Sequence, residues 1–98
     1  MRNGWFIGNF DPNILKTDQF EVGYLKHPKG QKWGVHFHEK LSEYNYLIKG
    51  KMTINNREIN PGDLFIFRPD VPVDPVFLED CELICVKVPS VPGDKVII

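Results

Sequence analysis

The spacing of turn-forming residues is the feature that most restricts how this chain can fold. Glycine, proline and asparagine interrupt short apolar or alternating runs roughly every 8 to 12 positions, a pattern typical of all-β domains. Segment 11–19 is the best helical candidate, and it predicts one turn at most. Many short strands in a chain of one domain's length indicate a barrel or a sandwich.

Two turns fix how the middle of the chain doubles back. Asn55-Asn56 suits a two-residue hairpin, because both central positions of such a turn need positive φ. Pro61-Gly62 suits a second tight turn. The predicted strands cover residues 20–26, 32–38, 43–49, 51–55, 57–60, 63–68 and 81–88.

Length and charge exclude several classes of partner. The 98 residues predict a single domain, 1–98, with its core over about 20–90, a short N-terminal arm and an extended C-terminal tail. Twelve Lys and Arg oppose 13 Asp and Glu without a basic block, so we expect no nucleic-acid partner. No apolar run approaches the ~20 residues of a membrane span, and the first residues do not resemble a signal peptide. We therefore expect a cytoplasmic protein with no membrane partner.

Two of the three histidines, His36 and His38, stand one residue apart in a strand-like run. Alternate side chains of a strand share a face, and an antiparallel return brings Glu43 back beside the pair. Two imidazoles and one carboxylate form a facial triad with open coordination positions, which suits divalent Fe, Mn, Ni or Zn. The alternative is that the three side chains bond one another and water, with no metal.

The same residues carry a family resemblance. The spacing is similar to the first cupin motif, G(X)5HXH(X)3,4E(X)6G, and the run "PGDLFIFRPDVPV" resembles the start of the second. The resemblance spans about residues 24–88 and implies a double-stranded β-helix, a small cupin-type jelly-roll barrel that is often dimeric. It also implies a metal held by both histidines, the glutamate and a further histidine of the second motif. The positions that match the first motif are Gly30, His36, His38, Glu43 and Gly50.

The second motif departs from the cupin pattern at its metal ligand. Counted from Gly62 without a gap, Val73 stands where the histidine is expected, and valine cannot bind a metal. With the frame shifted by one, Asp74 becomes a candidate ligand if a proline-flanked bulge turns it inward. Strict alternation would face it away. Three protein ligands still suffice for a catalytic site, because water can take the fourth position.

Two further residues are candidate substrate contacts. Asn45 shares the inward face of Glu43 and suits a substrate oxygen or a bound water, or else is a satisfied inner polar residue. Arg68 can hold a carboxylate or phosphate at the barrel mouth, or else is a solvated edge residue. His27, just before Pro28, is predicted to be a surface residue.

These features favour a metal-dependent enzyme of dioxygenase or isomerase type that acts on a small polar metabolite. The alternative is a non-catalytic ligand-binding or regulatory module, with or without a metal. Since no further base is evident inside the barrel, a metal-centred mechanism is favoured over side-chain acid–base chemistry. The run "DLFIFR" has apolar residues on both faces, which indicates a strand covered on its outer side by a second sheet or a partner, so we expect a homodimer.

Overall fold

The computed structural model describes residues 3–31 and 34–97, with only the backbone for Ile97. These residues form strands and turns and no helix, which confirms the all-β prediction. Within the described ranges, no helix is long and apolar enough to cross a membrane. The strands are β1 (Trp5–Gly8), β2 (Leu15–Lys16), β3 (Glu21–His27), β4 (His36–Phe37), β5 (Ser42–Lys49), β6 (Met52–Ile54), β7 (Arg57–Ile59), β8 (Leu64–Phe67), β9 (Pro75–Phe77), β10 (Cys81–Val88) and β11 (Val96–Ile97).

Two sheets pack face to face around one core. The larger sheet has the order β2-β1-β3-β10-β5-β8, the smaller has the order β7-β6-β9, and β4 pairs with β11. Both sheets contribute side chains to the buried cluster between them, because alternate residues of each strand point inward. The cluster consists of Leu25, Leu47, Met52, Phe77, Cys81, Leu83 and Cys85.

Local turn chemistry was predicted well. Asn55 and Asn56 both have positive φ, 50° and 67°, and join β6 to β7 as a tight hairpin. Gly50 turns the chain from β5 into β6 with a φ of 99°, and a Cβ there would lie 2.4 Å from the carbonyl oxygen of Asp80. Backbone conformation and lack of space therefore both require glycine where the chain leaves the large sheet.

The N-terminal arm differs from its prediction. The helical turn expected within 11–19 is wrong, since β2 forms there and pairs in parallel with β1, a strand that the sequence did not predict. Backbone hydrogen bonds from Ile14 to Phe6 and from Thr17 to Gly8 hold the segment extended against β1. Of the strand predicted over 32–38, β4 keeps two residues, and positions 32 and 33 lie outside the described residues.

Strand β8 is buried on one face only. Phe67 points into the barrel, whereas Leu64 and Ile66 on the opposite face are 76% and 46% exposed. The exposure of these two side chains shows that the described part of the chain leaves this outer face largely uncovered.

Candidate metal centre

The three residues of the predicted triad point into the barrel. His36 lies on β4, His38 follows that strand directly, and Glu43 lies near the start of β5; all three are buried. A pair of backbone hydrogen bonds between His36 and Val73, of 3.0 and 2.8 Å, holds β4 in place. The alternation read from the sequence therefore places these side chains correctly.

His38 and Glu43 form the preformed part of the site. Nε2 of His38 lies 3.8 Å from Oε1 of Glu43, and this buried nitrogen has no hydrogen-bond partner within the described residues. Two metal–ligand bonds of about 2.0–2.2 Å can bridge such a gap, so one ion can contact both atoms. The ring centroids of His36 and His38 are 5.8 Å apart and meet edge to face.

His36, the third predicted ligand, does not complete a metal-binding group with His38 and Glu43 in this structure. In the part of the chain that the structure describes, no group of three His, Cys, Asp or Glu side chains is close enough to hold an ion together. The donor set of two imidazoles and a carboxylate, and the unpartnered nitrogen of His38, nevertheless fit a divalent ion. His36 must approach the pair for the trio to close on one ion.

Hydrogen bonds set the tautomer of both rings. Nδ1 of His38 donates to the backbone carbonyl of Asp94, and Nδ1 of His36 donates to that of Gly34 at 3.3 Å. A carbonyl oxygen can only accept, so in each ring the proton lies on Nδ1 and the lone pair on Nε2. This is the arrangement by which outer partners orient metal-binding histidines.

Asp94 also holds the loop that joins the predicted ligands. Its carboxylate accepts hydrogen bonds from three successive backbone N–H groups, at 3.0, 2.8 and 3.1 Å. Burial opposes ionisation of this group, but the three donors outweigh it and lower the pKa of the Asp94 carboxyl. The sequence analysis missed this residue, whose only local signal is the Pro92-Gly93 turn before it. The three donors belong to Glu39, Lys40 and Leu41.

Positive charge surrounds the Glu43 carboxylate. Lys87 faces Glu43 directly across β10 and β5, with its Nζ 4.0 Å from Oε1 and 4.7 Å from the ring centroid of Trp5. Asn45 is buried on the inner face as predicted, and its Nδ2 donates to Oε2 of Glu43 at 3.3 Å. Burial would raise the pKa of Glu43, but His38 and Lys87 outweigh burial and lower it, which keeps the carboxylate ionised.

The pKa values of the two histidines of the triad are shifted in opposite directions. Burial lowers the pKa of His36, with a smaller opposing effect from its hydrogen bond to Gly34. Burial also disfavours the charged form of His38, but the Glu43 carboxylate and the Asp94 carbonyl outweigh it and raise the pKa of His38. Below its raised pKa, the metal-free His38 also carries a proton on Nε2, and the ring then forms an ion pair with Glu43.

The interior beside these residues holds a cavity of about 30 Å³. This is the volume of one or two water molecules, so an ion fits there and a metabolite does not. Its polar lining consists of His27, His36, Glu43 and Asn45, surrounded by apolar side chains of both sheets.

The location of His27 corrects the prediction of a surface residue. Only 8% of His27 is exposed, and its ring stacks on Phe77 with centroids 4.5 Å apart. Its Nδ1 lies 2.8 Å from Oε1 of Gln31. The same alternation that turns Leu25 inward turns His27 inward, because β3 runs through to this residue. Counting along the strand would have found it, whereas the following Pro28 suggested that the strand had already ended.

Two predicted site residues lie apart from the others. Asp74 is exposed, its backbone N–H donates to Asn55 Oδ1 at 2.8 Å, and the buried side chain is that of Val73. The inward turn required for metal contact is therefore absent at Asp74, and we leave it out of the proposed ligand set. Arg68 is exposed just beyond β8 and does not line the cavity.

Comparisons with known proteins identify the architecture. A Klebsiella pneumoniae protein with a double-stranded β-helix domain superposes with a TM-score of 0.73 and 20% identity, over 86% of this chain and 74% of its own. An RmlC-like cupin from Shewanella frigidimarina superposes with a TM-score of 0.71 and 22% identity, over 78% and 71%. Oxalate decarboxylase from Bacillus subtilis, a protein with Mn(II) centres, gives a TM-score of 0.66 and 21% identity, over 76% and 22%.

No protein-family model matches the sequence, and no curated protein matches it either. At the identities of the structural matches, the similarity shows a shared fold and does not extend to a shared reaction.

Proposed function

We propose that this chain, which has the double-stranded β-helix fold of the cupins as predicted, binds a divalent transition metal through His36, His38 and Glu43. The observation that carries the proposal is the buried Nε2 of His38, which lacks a hydrogen-bond partner among the described residues and faces the Glu43 carboxylate at 3.8 Å. Leaving such a nitrogen unsatisfied costs roughly 1–3 kcal/mol, and a metal ion removes that cost. The Mn(II) centres of oxalate decarboxylase, which shares the fold, support this choice.

The chemistry we propose is that of a metal-dependent enzyme of dioxygenase or isomerase type, acting on a small polar metabolite. A bound Fe, Mn, Ni or Zn ion supplies a Lewis acid with a coordination position left for the substrate. Asn45 steadies one oxygen of Glu43, while Asp94 fixes the ring of His38 and the loop that follows it. Because the inner cavity has only about 30 Å³, the substrate has to approach from the barrel mouth.

A metal-free ligand-binding or regulatory module is the second candidate. The observation that favours it is that cationic groups already compensate the negative charge of the Glu43 carboxylate. Its Oε1 lies 3.8 Å from His38, which is positively charged when protonated, and 4.0 Å from Lys87. Within the described ranges no three-residue cluster is preformed for an ion either. In such a module the charged network would hold the barrel together, and a small polar ligand would bind without turnover.

Elemental analysis of the purified protein separates the two candidates. We expect stoichiometric transition metal in the wild-type protein and strongly reduced metal in His36→Ala and Glu43→Ala. Asp74→Ala is the matched control: the Asp74 carboxylate is exposed, so the variant protein should retain the metal. Stoichiometric metal in the Glu43→Ala protein, or none in wild type after reconstitution, would contradict the proposed site.

Turnover assays then separate an enzyme from a binder. Oxygen consumption over a panel of small hydroxy, keto and thiol compounds tests the dioxygenase type, and proton exchange in D2O followed by NMR tests the isomerase type. An enzyme consumes oxygen or exchanges a proton only when loaded with metal. A binder instead gains thermal stability from one of the compounds, with no reaction in either assay.

We also propose that the protein forms a homodimer through the outer face of β5 and β8. Tyr44 lies opposite Ile66 and Tyr46 opposite Leu64, so four exposed apolar or aromatic side chains form one patch. Such patches mark interaction sites. None of these side chains carries a charge, so two copies can meet about a twofold axis without repulsion between like charges.

A further inference from the structure

A second buried carboxylate lies on the inner face of the barrel, and the proposed metal site does not use it. Glu21, the first residue of β3, is only 5% exposed, and its Oε2 has no hydrogen-bond partner among the described residues. The alternation along β3 that turns Leu25 inward also turns Glu21 inward. Carboxylates are almost never buried this fully without a compensating charge. A carboxylate in this position therefore requires a cation within reach.

The register of the large sheet supplies that cation. Lys87 on β10 is directly opposite Glu21 on β3, and it is also directly opposite Glu43 on β5. Opposite side chains of an antiparallel pair share one face, with their Cβ atoms about 4.5–5.5 Å apart. One lysine is thus flanked by two buried carboxylates in a single row across three strands.

Lys87 contacts the Glu43 side of this row, but its surroundings allow it to reach the other side. Its Nζ is 4.0 Å from Oε1 of Glu43 and 4.7 Å from the ring centroid of Trp5. The Trp5 ring covers Gly23, where a Cβ would lie 2.7 Å from it, and Gly23 is the inward neighbour of Glu21 along β3. Because an aromatic face attracts an ammonium group, Trp5 offers Lys87 a favourable surface that extends to β3. The four-carbon stem of lysine is flexible enough to turn from one strand to the next.

A divalent ion at Glu43 would displace Lys87 from that carboxylate. The ion and the ammonium group compete for the same oxygen, and their like charges repel each other. Glu21 lies on the other side of Lys87 and has an unpartnered oxygen among the described residues, so it can accept the displaced ammonium group.

We infer that Glu21 is the alternative counter-ion of Lys87, to which the lysine turns when a metal ion occupies Glu43. The inference rests on the proposed metal site. Glu21 is a positioning residue, because it acts on the ion through Lys87 and does not contact the ion. In the metal-free protein the lysine compensates Glu43, and in the loaded protein it compensates Glu21. Neither state then leaves the ammonium group without a carboxylate.

A double-mutant cycle measured by Zn(II) titration tests the inference independently of activity. We expect Glu21→Gln, which keeps the shape of the side chain, to weaken Zn(II) binding roughly tenfold, within the range of coupling between neighbouring residues. In the Lys87→Met background the same change should alter the affinity by less than about twofold, the scatter expected of uncoupled changes, since no lysine remains to be displaced. Glu79→Gln, which removes an exposed carboxylate, is the control for the loss of one negative charge and should leave the affinity unchanged. Equal weakening by Glu21→Gln in both backgrounds, or none in either, would overturn the inference.

A measurement on the wild-type protein keeps the inference testable if Glu21→Gln does not fold. On addition of Zn(II), the carboxyl-carbon resonances of both Glu43 and Glu21 should shift in 13C spectra, and in Lys87→Met the Glu21 resonance should stay in place. A shift of Glu43 alone, or a Glu21 shift that persists in Lys87→Met, would overturn the inference while leaving the proposed function intact. If neither resonance shifts and no Zn(II) binds, the proposed function fails and this inference fails with it.

Discussion

The imidazole of His38 donates its Nδ1 hydrogen to the backbone carbonyl of Asp94, a residue 56 positions further along the chain. The carboxylate of the same aspartate accepts the N–H groups of the loop between His38 and Glu43. One residue of the C-terminal segment thus fixes both a ring of the proposed site and the connection to its carboxylate.

Removal of the Asp94 carboxylate should therefore loosen the site. We expect Asp94→Ala to lower the free energy of unfolding by roughly 1–2 kcal/mol, because three hydrogen bonds to a charged, partly exposed acceptor are lost, and to weaken metal binding as well. Urea unfolding and a Zn(II) titration measure the two effects. Asp74→Ala is the control, since no side-chain partner of that exposed aspartate appears within the described residues. Equal loss in both variants would show that Asp94 has no special role.

The ion pair of His38 and Glu43 should give the metal-free protein a characteristic pH dependence. The pKa of His38 is raised, so its contribution to stability is complete below its ordinary value of 6.5 and is lost as the pH rises through the folded value. The pKa of Glu43 is lowered, so its contribution is present above 4.5 and is lost as the pH falls through the folded value.

In the presence of a chelator, we expect the stability difference between wild type and Glu43→Gln to be largest between those two values. Urea unfolding at a series of pH values measures it. The lowered pKa values of His27 and His36 make both proteins less stable in acid and largely cancel in the difference. A difference that does not vary with pH would contradict the ion pair.

Lys87 should compete with a metal ion for Glu43. Its ammonium group lies 4.0 Å from Oε1 of Glu43, and like charges repel even when partly screened. We expect Lys87→Met to tighten Zn(II) binding by up to about tenfold, equivalent to about 1.4 kcal/mol. Lys49→Met, an exposed lysine on β5, is the matched control for the loss of one positive charge. Weaker binding in Lys87→Met would instead mean that the lysine positions Glu43 for the metal.

The homodimer should depend on the outer face of β8. We expect Leu64→Lys and Ile66→Lys to convert a dimer into a monomer in sedimentation velocity at micromolar concentration, because two charges would then meet at the twofold axis. Ile14→Lys is the control, since Ile14 is as exposed as Leu64 but lies beside β2, at the opposite edge of the sheet. A wild-type protein that is monomeric under these conditions would exclude the interface.

The sequence predicted best where a short-range rule decides the structure. Side chains alternate strictly along a strand, so the inward orientation of Glu43 and Asn45 on β5 followed from counting. The outward orientation of Asp74 obeys the same rule, and the bulge needed to reverse it did not form. His27 also follows alternation, and the error there concerned where β3 ends.

Contacts that depend on the pairing of strands distant in the chain could not be predicted from the sequence. Asp94 contacts His38 because β11 pairs with β4, and no local pattern specifies which strand a tail will join. Lys87 meets Glu43 only through the register of β10 on β5. The Pro92-Gly93 turn before Asp94 does not identify His38 as its partner, and no residue near Lys87 identifies Glu43. The hairpin at Asn55 and Asn56, by contrast, is specified by those two residues alone.

Anomalous scattering from crystals grown with Mn(II) or Zn(II) tests the central claim most directly. We expect the strongest anomalous difference peak, measured at the absorption edge of the metal, to lie inside the barrel within about 2.0–2.2 Å of His38 Nε2 and of an oxygen of Glu43. His36 should have moved to bonding distance of the same peak. A crystal grown with excess metal that shows no anomalous peak inside the barrel, or peaks only at surface carboxylates, would contradict the proposed metal centre.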